Sequence, residues 1–104
     1  MNSSPAVELD GATLRVTGEV DANTVVQLRN RGEELINASS GVLAIDLFGL
    51  LTAHSVVLSM LLCWQRLALV NQIKLSFDGA SDRLQSLAAL SNLQDQMPGF
   101  ASHS

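Results

Sequence analysis

The sequence contains one cysteine, Cys63, so no intramolecular disulfide is available to it, which suits a reducing cytosol. It has no long hydrophobic run either. The most apolar stretch, residues 56–64, is interrupted by Ser59 and followed by Gln65 and Arg66, whereas crossing a bilayer takes about 20 apolar residues. The opening Met1-Asn-Ser-Ser-Pro5 lacks the basic start and apolar stretch of a signal peptide. Basic charge is scarce: 6 Lys and Arg against 10 Asp and Glu give a formal charge of −4, a balance that phosphate backbones repel. Repeats and low-complexity tracts are missing as well. These absences point to a cytoplasmic chain with no nucleic-acid ligand and no direct membrane insertion.

What is present is apolar side chain. The 104 residues fit one domain, and 47% of them are hydrophobic against 15% charged, far from a disordered composition. A chain this short buries a modest share of its surface, so part of that excess needs another outlet, such as a partner protein.

The order of elements follows from periodicity. Val7-Glu-Leu9 and Thr13-Leu-Arg-Val-Thr17 alternate apolar and polar residues around Asp10-Gly11, which reads as a β-hairpin. Val25, Val26, Leu28, Leu35 and Ile36 recur at helical spacing after the candidate caps Asp21 and Asn23. Gly32 inside that helix costs about 1 kcal/mol against Ala, which implies either close packing or a local break. Val42-Leu-Ala-Ile-Asp46 reads as a central strand covered on both faces. A helix then begins near Ser55, apolar nearly all the way round. Its Leu58, Leu61, Leu62 and Leu69 are expected to face the sheet. Val57, Met60, Trp64 and Ala68 fall on another side, either as core beneath a neighbouring helix or as an exposed anchor for a partner. Ile73-Lys-Leu-Ser-Phe77 alternates again as a strand, and a last helix starts behind the cap Ser81. The expected fold is α/β (α+β), order ββαβαβα: a mixed sheet of about four strands with helices packed on one side. Residues 1–96 form the expected domain and residues 97–104 a frayed tail, with Phe100 able to fold back.

One segment carries a resemblance: Leu43-Ala-Ile-Asp46-Leu-Phe-Gly49-Leu-Leu-Thr52-Ala-His54-Ser55-Val-Val-Leu58-Ser-Met-Leu61-Leu62. It resembles the signature of STAS domains, in which a strand ends in an acidic residue, a short loop holds Gly, and an Asp-Ser or Asp-Thr pair opens an apolar helix. Gly18-Glu-Val20-Asp21 resembles the same family's turn into its first helix. His54 stands where the regulatory branch has Asp, Val57 and Ser59 where it has Gly, and Phe48 where Ser is frequent. In these departures the chain is more similar to the MlaB type, the stand-alone STAS subunits of bacterial ABC transporters that maintain outer-membrane lipid asymmetry. The resemblance implies a non-enzymatic subunit at the cytoplasmic face of the inner membrane. Its implied partner is the transporter's ATPase, docked on the loop at residues 52–55 and the following helix. Thr52, His54, Ser55, Val56 and Ser59 are the candidate contacts, with residues 78–82 as a second patch. The alternative is an anti-sigma-factor antagonist switched by phosphorylation at Ser55.

The chemistry of individual residues favours binding over catalysis. Ser55 reads as a helix cap, worth about 1 kcal/mol, and a phosphate there would meet the positive end of the helix. Thr52 serves either a local turn or a partner contact. His54 and Ser55 are adjacent, an unsuitable spacing for a nucleophile and its base, and no Gly-x-Ser-x-Gly elbow surrounds Ser55. His54, His103 and Cys63 lack the paired spacing of a zinc site. Asp46 and Asp78 end two strands without a nucleophile or phosphate loop beside them. No cofactor and no metal are expected.

Overall fold

The computed structural model describes residues 4–100. Its elements are β1 (Ala6–Asp10), β2 (Thr13–Thr17), α1 (Val25–Asn37), β3 (Val42–Asp46), α2 (Ser55–Val70), β4 (Lys74–Asp78) and α3 (Asp82–Leu90), then a 3-10 turn over Gln94–Gln96. The four strands form one sheet in the order β1-β2-β3-β4. β1 runs antiparallel to β2, and β3 and β4 follow in parallel. The fold is therefore the expected ββαβαβα layer with a four-stranded mixed sheet.

Asp10 pairs with Thr13, leaving a two-residue turn in which Gly11 takes φ 62° at the first position. A turn of the II′ kind needs Gly at that position, because a Cβ there would collide with the backbone. Register then aligns Leu14, Ile45 and Phe77 across the parallel strands, all at most 1% exposed. Between them Arg15, Asp46 and Asp78 point to the opposite face. β3 is thus not buried on both faces as expected: its pattern alternates, with Leu43 and Ile45 buried and Val42 exposed. The outer face is dressed instead by Arg15, whose guanidinium lies 3.4 Å from Asp46 and 3.9 Å from Asp10.

α1 packs on α2 and β1, and α2 also meets β4 and α3. Leu28, Gly32 and Ile36 are the buried line of α1 at a spacing of four. Gly32 leaves the helix unbroken and resolves to close packing. A Cβ there would overlap Cε2 and Cζ2 of Trp64, whose Nε1 donates to the Arg29 carbonyl at 3.1 Å. Val57, Met60, Trp64 and Ala68 are each at most 1% exposed, so this side of α2 is core beneath α1 and offers no anchor to a partner. Leu69, expected to face the sheet, is 64% exposed.

Residues 97–100, expected as tail, are part of the body. Met97 and Phe100 are buried, Phe100 packs edge-on against Phe77 at 5.7 Å, and the Phe77 N–H donates to the Pro98 carbonyl at 2.8 Å. That bond covers a donor on the open side of β4, an edge that would otherwise invite strand addition. Residues 101–104, with His103, lie outside the described part.

Candidate functional site

Parallel β2, β3 and β4 bring their carboxyl ends to one edge of the sheet, and three loops meet there: residues 18–24, 47–54 and 79–81. Ligand sites of open α/β sheets gather at this edge because the loops converge on it. The first two loops are laced together. Gly18 donates to Gly49 at 3.0 Å, Leu51 donates to Gly18 at 2.9 Å, and the Val20 N–H donates to the Thr52 hydroxyl at 2.8 Å. Gly18 holds φ 83°, and a Cβ on it would come within 2.6 Å of the Ser4 carbonyl oxygen; a side chain is excluded on both counts. The third loop is tied in by the Leu47 N–H, which donates to Asp78 at 2.8 Å.

Each candidate residue has a definite place in this frame. Thr52 is half-buried, and its hydroxyl accepts from the amide of the neighbouring loop rather than from its own turn. His54, not Ser55, is the cap residue of α2, and its side chain makes no capping bond. Ser55 is the exposed first residue of the helix, which corrects the expectation that it caps. Ser81 does cap α3, accepting from Leu84 at 3.1 Å. At α1, Asp21 accepts from the amides of Asn23 and Thr24 at 2.9 and 3.0 Å and organises the turn before the helix, while Thr24 holds the cap position. Asp46 is likewise structural: one oxygen accepts from Phe48 N at 2.9 Å and the other faces Arg15.

Four of the five candidate contacts divide between two neighbouring grooves, and Ser55 lines neither. Thr52 and His54 line one of about 270 Å³ with Glu19, Asp21, Leu51 and Arg83. Val56 and Ser59 line a smaller one, about 160 Å³, between α1 and α2, with Val25, Arg29, Met60 and the half-buried Cys63. Ser55 and Ser59 are exposed, while Val56 is half-buried. In the second patch Asp78, Ser81 and Asp82 are exposed and Gly79 and Ala80 half-buried.

Two further residues of the edge escaped the sequence reading. Phe48 is 78% exposed and Leu51 62%. The Phe48 ring lies over Gly79, where a Cβ would reach its Cδ2 at 2.5 Å. Fully burying a Phe or Leu side chain is worth about 1.5–3 kcal/mol, and both side chains leave most of that apolar surface in water. Loop residues have no periodicity to betray their exposure, and the only available signal was large apolar side chains in a loop. Among the described residues no group of three or more His, Cys, Asp or Glu is placed to hold a metal, and no helix is long and apolar enough to cross a membrane.

Residues 5–99 match the family model described as "Mlab, STAS domain", and the chain belongs to that family of MlaB-type STAS domains. No curated protein matches it. Among solved structures it is similar to the anti-sigma factor antagonist SpoIIAA in its unphosphorylated form, with 17% identity over 90% of this chain and 85% of that one at a TM-score of 0.71. It is also similar to an anti-sigma factor antagonist from Mycobacterium paratuberculosis, with 21% identity over 91% of this chain and 82% of that one at a TM-score of 0.69. At these identities the two structures share the fold. STAS domains interact with partner proteins, and this chain has their architecture.

Proposed function

We propose that this MlaB-type STAS domain is a non-enzymatic subunit that docks on the cytoplasmic ATPase of a phospholipid-transporting ABC complex and stabilises or regulates it. The reading places it at the cytoplasmic face of the inner membrane, held there through its partner. One observation carries it beyond the family match: Phe48 and Leu51 stand exposed on a loop that backbone bonds hold in place. Anchors fixed before binding lose little conformational freedom on docking, which is what raises affinity. Around them His54, Ser55 and Ser59 supply an exposed polar margin, with Thr52 and Val56 half-buried at its inner side. Thr52 supports the surface by tying its loop to Val20.

The test is co-expression with the transporter's ATPase and permease, followed by size-exclusion chromatography. Wild type is expected to co-elute with the ATPase, and Leu51→Asp with Ser59→Arg to elute alone at unchanged thermal stability. Co-elution of the double variant at wild-type yield sinks the proposed surface.

A second reading has its own support. Ser55 is exposed at the first position of α2 and spends no hydroxyl bond on the cap, so it is open to a kinase. As an anti-sigma-factor antagonist, the chain would gain one phosphate at Ser55 when incubated with ATP and lysate of its source. An unchanged intact mass argues against that switch.

A further inference from the structure

The acids of the chain are not spread evenly. Glu19, Asp21, Asp78 and Asp82 are all exposed in or beside the carboxyl-edge loops, and none forms an ion pair among the described residues. Arg83 is the one Lys or Arg in the groove that Glu19 and Asp21 line, and His54, counted as neutral, lies there too. Four carboxylates against one guanidinium leave this edge at −3, of a total of −4 for the chain. Elsewhere the acids are largely matched, Arg29 with Glu33, Arg31 with Glu34 and Arg15 with Asp10 and Asp46.

Helix ends explain part of the pattern. Asp21 organises the turn before α1, and Asp82 lies in the first turn of α3, positions where a carboxylate complements the helix dipole. Glu19 and Asp78 do neither. They sit beside the two apolar anchors instead: Glu19 shares a groove with Leu51, and Asp78 precedes the Gly79 that carries the Phe48 ring.

We propose that the partner's docking surface is an apolar cleft rimmed by Lys and Arg, which receives Phe48 and Leu51 while its cations face Glu19 and Asp78. This rests on the docking function proposed above and adds the partner's chemistry to it. A second copy of the chain would set acid against acid, and an anionic membrane would be repelled in the same way. The two kinds of contact then divide the kinetics. Exposed charge at a rim accelerates encounter and is screened by salt. Desolvated apolar anchors set how long the complex lasts.

The experiment is surface-immobilised binding kinetics of the full chain with the purified ATPase of its cognate transporter. Between 50 and 500 mM NaCl the association rate is expected to fall by about tenfold or more, with dissociation changing less than about twofold. At low salt Glu19→Lys with Asp78→Lys is expected to slow association about tenfold, and Phe48→Asp to speed dissociation at least about tenfold. Glu8→Lys with Glu34→Lys makes the same charge change away from the edge and serves as the control. An association rate that ignores salt, or that falls equally in the control, overturns the basic cleft while leaving docking at this edge intact. Absence of binding by the wild type at every salt concentration removes the docking reading and the basic cleft together.

Discussion

The α1–α2 seam and the carboxyl-edge loops are both supplied with large apolar side chains, yet they treat them in opposite ways. In the seam, Val57, Met60, Trp64 and Ala68 are sealed from water, and Gly32 gives up a side chain so that the Trp64 ring fits. At the edge, Phe48 and Leu51 stay in water even though the loop bearing them is anchored by hydrogen bonds on both sides. A short chain rich in apolar residues has sealed some of them in a core that fixes the fold and left others, Phe48 and Leu51 among them, in water. The difference predicts where each kind of damage belongs: seam changes are expected to reduce stability, and edge changes to reduce the proposed binding.

The largest expected effect tests the seam. Trp64→Ala removes the biggest fully buried side chain and the bond to the Arg29 carbonyl, and is expected to lower unfolding free energy by about 3–5 kcal/mol in urea titration. A loss below about 1 kcal/mol would mean that the seam is not the core of the fold, and the contrast would collapse. Next comes the edge. Phe48→Asp is expected to weaken ATPase binding by about 2 kcal/mol, roughly thirtyfold, with the melting temperature unchanged because the side chain is mostly in water. A variant that melts early instead makes Phe48 a core residue.

These two regions were unequally legible in the sequence. Alternation located β1, β2 and β4 to within a residue or two, a continuous apolar run located β3, and the apolar run after Ser55 marked α2, because those signals are local. Which side of α2 faces inward was not legible, since the helix is apolar nearly all round and no polar stripe orients it. The partner of Gly32 was hidden for the same kind of reason. Trp64 is distant in sequence, and only the packing of two helices joins them. One residue of boundary separated the expected cap Ser55 from the observed cap His54, an offset that side-chain preference alone does not resolve. Met97 and Phe100 flank Pro98-Gly99 and read locally as a loop, although their burial comes from the edge of β4. At the site, the contact set was read from a family signature, which supplied Thr52 and its neighbours and passed over Phe48 and Leu51.

Smaller effects sharpen the contrast. Thr52→Val keeps the shape of the side chain but leaves the Val20 N–H without its acceptor, and is expected to lose about 1 kcal/mol of stability in urea titration. An unchanged midpoint would show that Thr52 does not tie the loops. The smallest effect belongs to an exposed apolar pair away from the edge, Leu69 and Val70, at 64% and 78% exposure near the far end of α2. Leu69→Ser with Val70→Ser is expected to shift stability by less than about 0.5 kcal/mol and ATPase binding by less than twofold. Lost binding there would move the docking surface to the opposite end of the molecule.

Hydrogen exchange of the full chain with and without the cognate ATPase tests the central claim most directly. Docking at the carboxyl edge requires new protection in residues 18–24 and 47–59, with residues 66–76 exchanging as in the free chain. Protection centred on residues 66–76, with the edge loops unchanged, contradicts it.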